Sequence, residues 1–315
     1  MKRKLLLSLS LIAALALTGC GKSEGKQKED KDVLDIYTTV YPLEYFTETI
    51  GGEFVNVETV YPPGTDEHTF DPSQKDIVGM ANSDLFFYIG YNLEGFVTKA
   101  EPILKGEGVT TVAVGETVSV DEHDEEHDHE HGEADDDGHD HGSVNPHLWL
   151  DPIYSIQMAE TVKDELTKQM PEQESYFTLR FNELSDKLKA LDKQFAKTIK
   201  AGRTNKVIVS HSAYGYWEDR YGLEQIGVTG LTSSNEPSQK QLASIVSMAK
   251  DEDLHYVIFE QNISSKLTEI IQKEMGAEAL EFHNLSVLTD KDIEAGEDYF
   301  SLMENNIKTL QTALH

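Results

Sequence analysis

Residues 177–199 read FTLRFNELSDKLKALDKQFAKTI, a segment whose apolar residues recur every three or four positions. The apolar stripe consists of Phe177, Phe181, Leu184, Leu188, Leu191, Phe195 and Ile199. This spacing is typical of one face of an α-helix. Because Pro171 precedes the stripe and Gly202 follows it, we expect one long helix between these two residues.

Both flanks of this helix predict strands that alternate with helices. Upstream, the predicted strands are Val33–Val40, Val55–Tyr61, Leu85–Ile89 and Val109–Val114, with helices at Leu43–Ile50 and Gln74–Ala81. Downstream, the predicted strands are Lys206–Ser210, Gln225–Val228, Tyr256–Phe259 and Glu278–Glu281, with helices at Gln239–Lys250 and Ser264–Met275. This alternation is typical of parallel sheets, so we expect an α/β fold with two lobes.

The long helix stands between the two α/β halves. Its stripe could belong to a coiled-coil partner surface, but its position favours a rigid element that packs along both lobes and joins them. We therefore expect an N-terminal lobe at 33–151, a linking helical segment at 152–202 and a C-terminal lobe at 203–315. Two lobes joined in this way enclose a cleft, which is a common place for a ligand.

The first 32 residues predict a secreted lipoprotein. Basic residues 2–4 precede the apolar run Leu5–Leu17, and Leu17-Thr18-Gly19-Cys20 ends that run. This order is typical of a lipoprotein signal peptide over residues 1–20, with lipidation at Cys20. The alternative is an uncleaved membrane anchor, but the run is shorter than the roughly 20 apolar residues that a span needs. Residues 21–32 are polar, and we expect them to tether an extracytoplasmic protein to the cell membrane.

The whole chain is strongly acidic, with a formal net charge of -30. Such a surface repels nucleic acid and anionic membranes, whereas it attracts cations. We therefore expect no nucleic-acid partner.

An acidic tract at 121–142 contains half of the histidines. These are His123, His127, His129, His131, His139 and His141. No Lys or Arg occurs between Gly106 and Val162, so only a bound cation could neutralise this charge. Imidazole and carboxylate groups bind divalent cations, so we expect an accessory metal site that is disordered without metal. The alternative is a loop that only improves solubility.

Three other histidines occupy loops that the strand pattern directs toward the cleft. His68 follows the strand that ends near Tyr61, His147 lies in a proline-bracketed loop, and His211 directly follows Lys206–Ser210. A single histidine is more often structural, but three that converge without a cation would compete for hydrogen-bond partners. We therefore predict that they bind a metal, with Asp290 as the candidate fourth ligand. Asp290 could instead cap the helix that follows it.

The motifs in this chain resemble those of zinc-uptake solute-binding lipoproteins of bacterial ABC importers, the ZnuA-like group, over essentially the whole chain. The matching phrases, in order, are Leu17-Thr18-Gly19-Cys20, Tyr41-Pro42, Glu67-His68-Thr69-Phe70-Asp71-Pro72, the acidic histidine tract, Asn145-Pro146-His147-Leu148-Trp149-Leu150-Asp151-Pro152, Ser210-His211-Ser212-Ala213-Tyr214-Gly215-Tyr216 and Glu236-Pro237-Ser238. One departure is Glu67-His68, where the group more usually has Pro-His.

The resemblance implies two Rossmann-like lobes joined by a single long helix, with one metal ion between them. It implies His68, His147 and His211 as ligands, and a fourth position that varies among Glu, Asp and water. Asp290 would fill that position here, with His283 as an outside possibility. Manganese-binding relatives usually carry a carboxylate where His211 stands, so the resemblance favours Zn(II) as cargo. It also implies an ABC permease and its ATPase as partners. We expect a monomer, because docking onto a permease requires the tips of both lobes to be free.

The chemistry of the three imidazoles favours zinc as well. Three imidazoles plus one carboxylate or water suit a tetrahedral zinc ion, whereas manganese prefers more oxygen ligands. Since imidazole must be neutral to bind metal, we expect affinity to weaken below about pH 6.5.

Other classes of protein fit the sequence less well. No His-Glu-x-x-His phrase occurs, and neither Ser210 nor Ser212 beside His211 lies in a Gly-x-Ser-x-Gly phrase, so we do not expect a zinc hydrolase or a serine hydrolase. A lipoprotein that binds manganese or another divalent metal, and a surface metal buffer or adhesin, remain as alternatives.

Overall fold

The computed structural model describes residues 32–120, 144–231, 237–262 and 265–315. The predicted signal peptide, Cys20, most of the tether and the six histidines of the acidic tract lie outside these residues, as do Glu236 and Ser264. Within the described ranges, no helix is both long enough and apolar enough to cross a membrane.

Parallel strands form two four-stranded sheets in the described residues. The strands are β1 (Leu34–Thr38), β2 (Val55–Thr59), β3 (Leu85–Tyr88), β4 (Thr110–Ala113), β5 (Lys206–His211), β6 (Glu224–Thr229), β7 (Tyr256–Glu260) and β8 (Glu278–Phe282). The first sheet has the order β2-β1-β3-β4, and the second has the equivalent order β6-β5-β7-β8. All pairings between neighbouring strands are parallel, which confirms the predicted α/β fold with two lobes.

Helices cover the sheets and connect their strands, as parallel pairing requires. They are α1 (Tyr41–Gly51), α2 (Gln74–Ala81), α3 (Val97–Glu107), α4 (Pro152–Gln169), α5 (Glu174–Ala201), α6 (Gly215–Tyr221), α7 (Gln239–Asp251), α8 (Lys266–Met275), α9 (Asp290–Ala295) and α10 (Tyr299–Ala313). Three of them, α3, α6 and α10, are not predicted from the sequence. Pro102 lies inside α3, and α6 has only 7 residues, so neither has a clear helical pattern. The apolar face of α10 packs against α5 and β8.

Helix α5 is the long helix that the apolar stripe predicts, and it has 28 residues. Near its start, the ring of Phe177 lies 6.0 Å from that of Phe54, next to β2. Near its end, the ring of Phe195 lies 4.8 Å from that of Trp217, in α6 of the second half. The stripe is therefore buried against both halves of this chain, which confirms the connecting element rather than the coiled-coil alternative.

The two sheets share one hydrophobic core. Ile36 of β1 and Phe86 of β3 belong to the same buried cluster as Val209 of β5 and Ile258 of β7. A smaller cluster, which includes Ile245 of α7, covers the other face of the second sheet. Because the main core is continuous across α5, the carboxyl ends of the strands in the two sheets can contribute to one site.

Candidate metal centre

Three histidines from distant parts of the chain meet in the structure. His68 lies between β2 and α2, His147 precedes a short 3-10 turn, and His211 is the last residue of β5. One ligand atom of each lies within 4.8 Å of the other two. His147 and His211 are fully buried, and the side chain of His68 is 7% exposed. The structure thus brings together the three histidines that the sequence predicts as ligands.

The spacing of their rings suits a tetrahedral ion. Nε2 of His68 and Nε2 of His147 are 3.3 Å apart. Two nitrogens that bind one tetrahedral zinc ion at ~2.0–2.1 Å lie about 3.3–3.4 Å from each other. The ring centroid of His211 is 4.9 Å from that of His147 and 5.3 Å from that of His68. A single zinc-sized ion therefore fits among these rings with small side-chain shifts.

A hydrogen bond orients the ring of His147. Oδ1 of Asn145 lies 2.7 Å from Nδ1 of His147, and the same oxygen accepts the backbone N–H of His147 at 3.1 Å. Since this oxygen is an acceptor only, Nδ1 carries the proton and Nε2 presents its lone pair to His68 and His211. Such an outer partner fixes the tautomer that binds metal.

Strand register places a carboxylate beside His211. Val209 of β5 pairs with Ile258 of β7, so the same register brings His211 and Glu260, two residues further along, to adjacent strand ends. Nδ1 of His211 lies 3.0 Å from Oε1 of Glu260. Nε2 of His211 lies 2.9 Å from the carbonyl oxygen of Leu231, so a metal that takes this nitrogen must displace that contact.

The three imidazoles differ in pKa. Burial, and then the neighbouring His211, lowers the pKa of His68 to about 4. Burial, followed by His211 and His68, lowers the pKa of His147 well below 6.5. Burial also acts to lower the pKa of His211, but the charge and hydrogen bond of Glu260 outweigh it and raise that pKa to about 9. Near neutral pH, two rings are therefore ready to bind metal and the third must first lose a proton.

Two buried carboxylates adjoin the histidines, and neither is among the ligands predicted from the sequence. Glu67 is 1% exposed, and its Oε1 lies 3.9 Å from Nε2 of His68. Glu260 is 5% exposed and contacts His211. The sequence does contain a signal for each: Glu67 is the residue that departs from the usual Pro-His pair, and Glu260 directly follows the predicted strand Tyr256–Phe259.

The structure does not bring Asp290 to this group. Asp290 is an exposed residue in the first turn of α9, and the carboxylate that joins in capping this helix belongs to Asp292. His283 has other partners: its Nδ1 accepts the backbone N–H of Leu285 at 3.0 Å, and its Nε2 lies 3.2 Å from Oδ2 of Asp292. Asp290 as a ligand thus stays a prediction, and Glu67 lies nearer to the histidines than Asp290 does, although the ligand atoms found within 4.8 Å of one another belong to the three histidines alone.

The phrase around His147 is bonded to the second half of the chain. Three of its backbone carbonyls and two of its side chains have partners there. The bonds join Tyr216 Oη to Asn145 O (2.5 Å), Tyr299 Oη to Trp149 O (2.9 Å), Trp217 Nε1 to Leu150 O (2.8 Å), Trp149 Nε1 to Asn284 O (2.7 Å) and Arg220 to the carboxylate of Asp151. These contacts hold His147 at the interface between the two halves.

Comparison with known families gives one match that covers most of the chain. The family described as "ZnuA: Zinc-uptake complex component A periplasmic" matches residues 36–313. Among curated relatives, the zinc-binding lipoprotein AdcA of Streptococcus pneumoniae serotype 4 is 34% identical over 316 residues, which is 98% of this chain and 60% of that protein. The chain thus spans about three fifths of that relative. The high-affinity zinc uptake system protein ZnuA of Bacillus subtilis is 31% identical over 310 residues, with 97% of both chains covered.

Solved structures include a close match in fold. The Zn(II)-bound ZnuA-like domain of Streptococcus pneumoniae AdcA is 30% identical, with a TM-score of 0.74. The match covers 90% of this chain and 99% of that domain.

Proposed function

The chain belongs to the ZnuA family of zinc-uptake complex components, and we propose that it binds Zn(II) outside the cytoplasm and delivers it to an ABC-type importer. The observation that carries this proposal is the buried group of His68, His147 and His211, with two ring nitrogens at the 3.3 Å spacing of a tetrahedral site. Zinc is cargo in this proposal, and we propose no catalytic role.

Zinc fits this site better than manganese does. Three imidazole nitrogens dominate the group, whereas manganese favours carboxylate, carbonyl and water oxygens. The names of the relatives, which specify zinc binding and zinc uptake, point the same way. A manganese lipoprotein and a surface metal buffer or adhesin are the alternatives that metal analysis and uptake assays would reveal.

The proposed partners are an ABC permease with its ATPase, and a lipid membrane reached through Cys20. The lipobox sequence and a relative named as a lipoprotein support the anchor. Mass spectrometry of the mature N-terminal peptide checks it, because a peptide without an acylated Cys20 would contradict this attachment. We further propose that the protein acts as a monomer, which size-exclusion chromatography with light scattering tests.

Metal analysis of two forms of the protein tests the location of the zinc. Val33–His315 forms one compact unit, so residues 32–315 can be prepared with and without the tract at 121–142. After dialysis, elemental analysis is expected to find one tightly held zinc in both forms, because none of the three buried histidines lies in the tract. If the zinc disappears with the tract, the tract holds the metal and the surface metal buffer replaces the proposed function.

Zinc affinity is expected to rise with pH up to about pH 9. A metal must displace the proton of His211, whose pKa Glu260 raises to about 9 against the effect of burial. Each unit of pH between 7 and 9 should therefore strengthen binding about tenfold, through release of one proton. The pKa of His68 is about 4, so protons compete with zinc for this ring only at much lower pH. The pH range in which zinc affinity changes therefore lies higher than unperturbed imidazoles would give.

Competition with a chelator of known affinity at pH 6, 7, 8 and 9 measures this slope. The variant Glu260→Gln is the matched comparison, because it keeps the size of the side chain and removes the charge. Burial then dominates at His211, so the slope between pH 7 and 9 should flatten. A wild-type affinity that does not change in this range would contradict the assignment of the proton to His211.

A further inference from the structure

Asn284 is a hydrogen-bond partner of both buried carboxylates, Glu67 and Glu260. Phe282 at the end of β8 pairs with Glu260 at the end of β7, and Asn284 follows two residues later. The fully buried amide Nδ2 of Asn284 lies 2.9 Å from Oε2 of Glu260 and 3.3 Å from Oε1 of Glu67. One amide group from the second half therefore donates to a carboxylate of each half.

The orientation of this amide is set by its other contacts. Oδ1 of Asn284 accepts the backbone N–H of Ser286 at 3.1 Å and Nε2 of Gln261 at 3.0 Å. The backbone N–H of Asn284 donates to Oε1 of Gln261 at 3.0 Å, and its carbonyl accepts Nε1 of Trp149 at 2.7 Å. Turning the side chain would place Nδ2 against a backbone donor, so both N–H groups stay directed at the carboxylates.

This arrangement limits the oxygens that face the histidines. In Glu260, Oε1 pairs with His211 and Oε2 with Asn284, so both oxygens are occupied. In Glu67, Oε2 accepts the hydroxyl of Ser286 at 2.8 Å, while Oε1 has a longer contact of 3.3 Å to Asn284 and lies 3.9 Å from Nε2 of His68. The described group therefore offers a metal three imidazole nitrogens, and Oε1 of Glu67, which lies outside that group, is 3.9 Å from Nε2 of His68.

We propose that Asn284 is a positioning residue that sets the preference of this site for zinc over manganese, by keeping Glu260 on His211 and limiting Glu67 to one oxygen. The inference rests on the proposed zinc-binding function. A site with three nitrogens and one oxygen suits tetrahedral zinc, and each additional oxygen shifts the preference toward manganese.

The variant Asn284→Asp tests this role with almost no change in size. The new side chain keeps one oxygen that accepts from Ser286 and Gln261. Its other oxygen replaces the N–H donor, which places a third carboxylate beside Glu67 and Glu260. Repulsion should then free carboxylate oxygens to face the metal. We expect the ratio of zinc affinity to manganese affinity to fall at least about tenfold, the usual scale of an outer-partner change. The visible absorption of bound Co(II) should weaken, because higher coordination reduces its intensity.

Asn306 offers a matched control for the cost of a buried Asn→Asp change. It is 1% exposed, its Nδ2 donates to the carbonyl of His283 at 2.8 Å, and its Oδ1 accepts the N–H of the same residue at 2.8 Å. These contacts involve backbone only. Asn306→Asp should therefore lower the melting temperature while the zinc-to-manganese ratio and the Co(II) spectrum stay those of the wild type.

The outcomes separate this inference from the proposed function. A wild-type ratio and Co(II) spectrum in folded Asn284→Asp would overturn the role of Asn284. If that variant does not fold, Asn284→Ala is measured instead. The same fall in the ratio of zinc to manganese affinity is expected, because both N–H donors are absent. A wild-type ratio in Asn284→Ala would also overturn the role of Asn284. A wild-type protein that holds no zinc at the three histidines would refute the proposed function itself, whatever Asn284 does.

Discussion

Replacing His147 with Ala is expected to abolish tight zinc binding. His147 is fully buried, its Nε2 lies 3.3 Å from that of His68, and Asn145 fixes its tautomer. A structural zinc site is worth about 10–16 kcal/mol, so one of four ligands accounts for about 3 kcal/mol. That corresponds to a loss of at least about a hundredfold in Kd.

Elemental analysis and chelator competition measure this loss, and His255→Ala is the control. The side chain of His255 is 69% exposed and lies outside the histidine group, so its removal should leave zinc binding unchanged. In a strain that lacks the wild-type gene, His147→Ala should also fail to restore growth at low zinc. Retention of one tight zinc by His147→Ala would mean that the metal sits elsewhere.

Replacing Glu67 with Gln is expected to weaken zinc binding about 10- to 100-fold. Its Oε1 is 3.9 Å from Nε2 of His68, which places it within a small movement of a metal held there. A neutral amide oxygen is a poorer ligand than a carboxylate for a doubly charged ion. The variant should not lose stability without metal: burial raises the pKa of Glu67 to about 7, above its usual value, so its charge at neutral pH costs folding free energy.

Asp290→Asn is the paired measurement, because Asp290 is the fourth ligand that the sequence predicts. Asp290 is exposed in the first turn of α9, so we expect its replacement to change zinc affinity less than twofold. If Asp290→Asn weakens binding and Glu67→Gln does not, the sequence-based assignment is right, and α9 must move toward the histidines when metal binds. Thermal unfolding of the metal-free variants separates loss of a ligand from loss of the fold.

Local patterns in the sequence determined most of the architecture. The stripe from Phe177 to Ile199 predicts α5, and alternating apolar runs predict the strands of both sheets, because periodicities of 3.6 and 2 residues arise within one element. Position at a carboxyl strand end likewise identifies His211, since the apolar run before it marks the strand. These features need only neighbouring residues.

Only the tertiary structure decided which polar groups surround the histidines. Glu260 reaches His211 because β7 lies beside β5, although β6 follows β5 in the chain. Glu67 and Asn284 are 217 residues apart in sequence, yet they share a hydrogen bond at the interface between the two halves, whereas Asp290, which has a suitable residue type, stays exposed. Strand order and the packing of two lobes set such contacts. They depend on the free energy of the whole core, which no local pattern records.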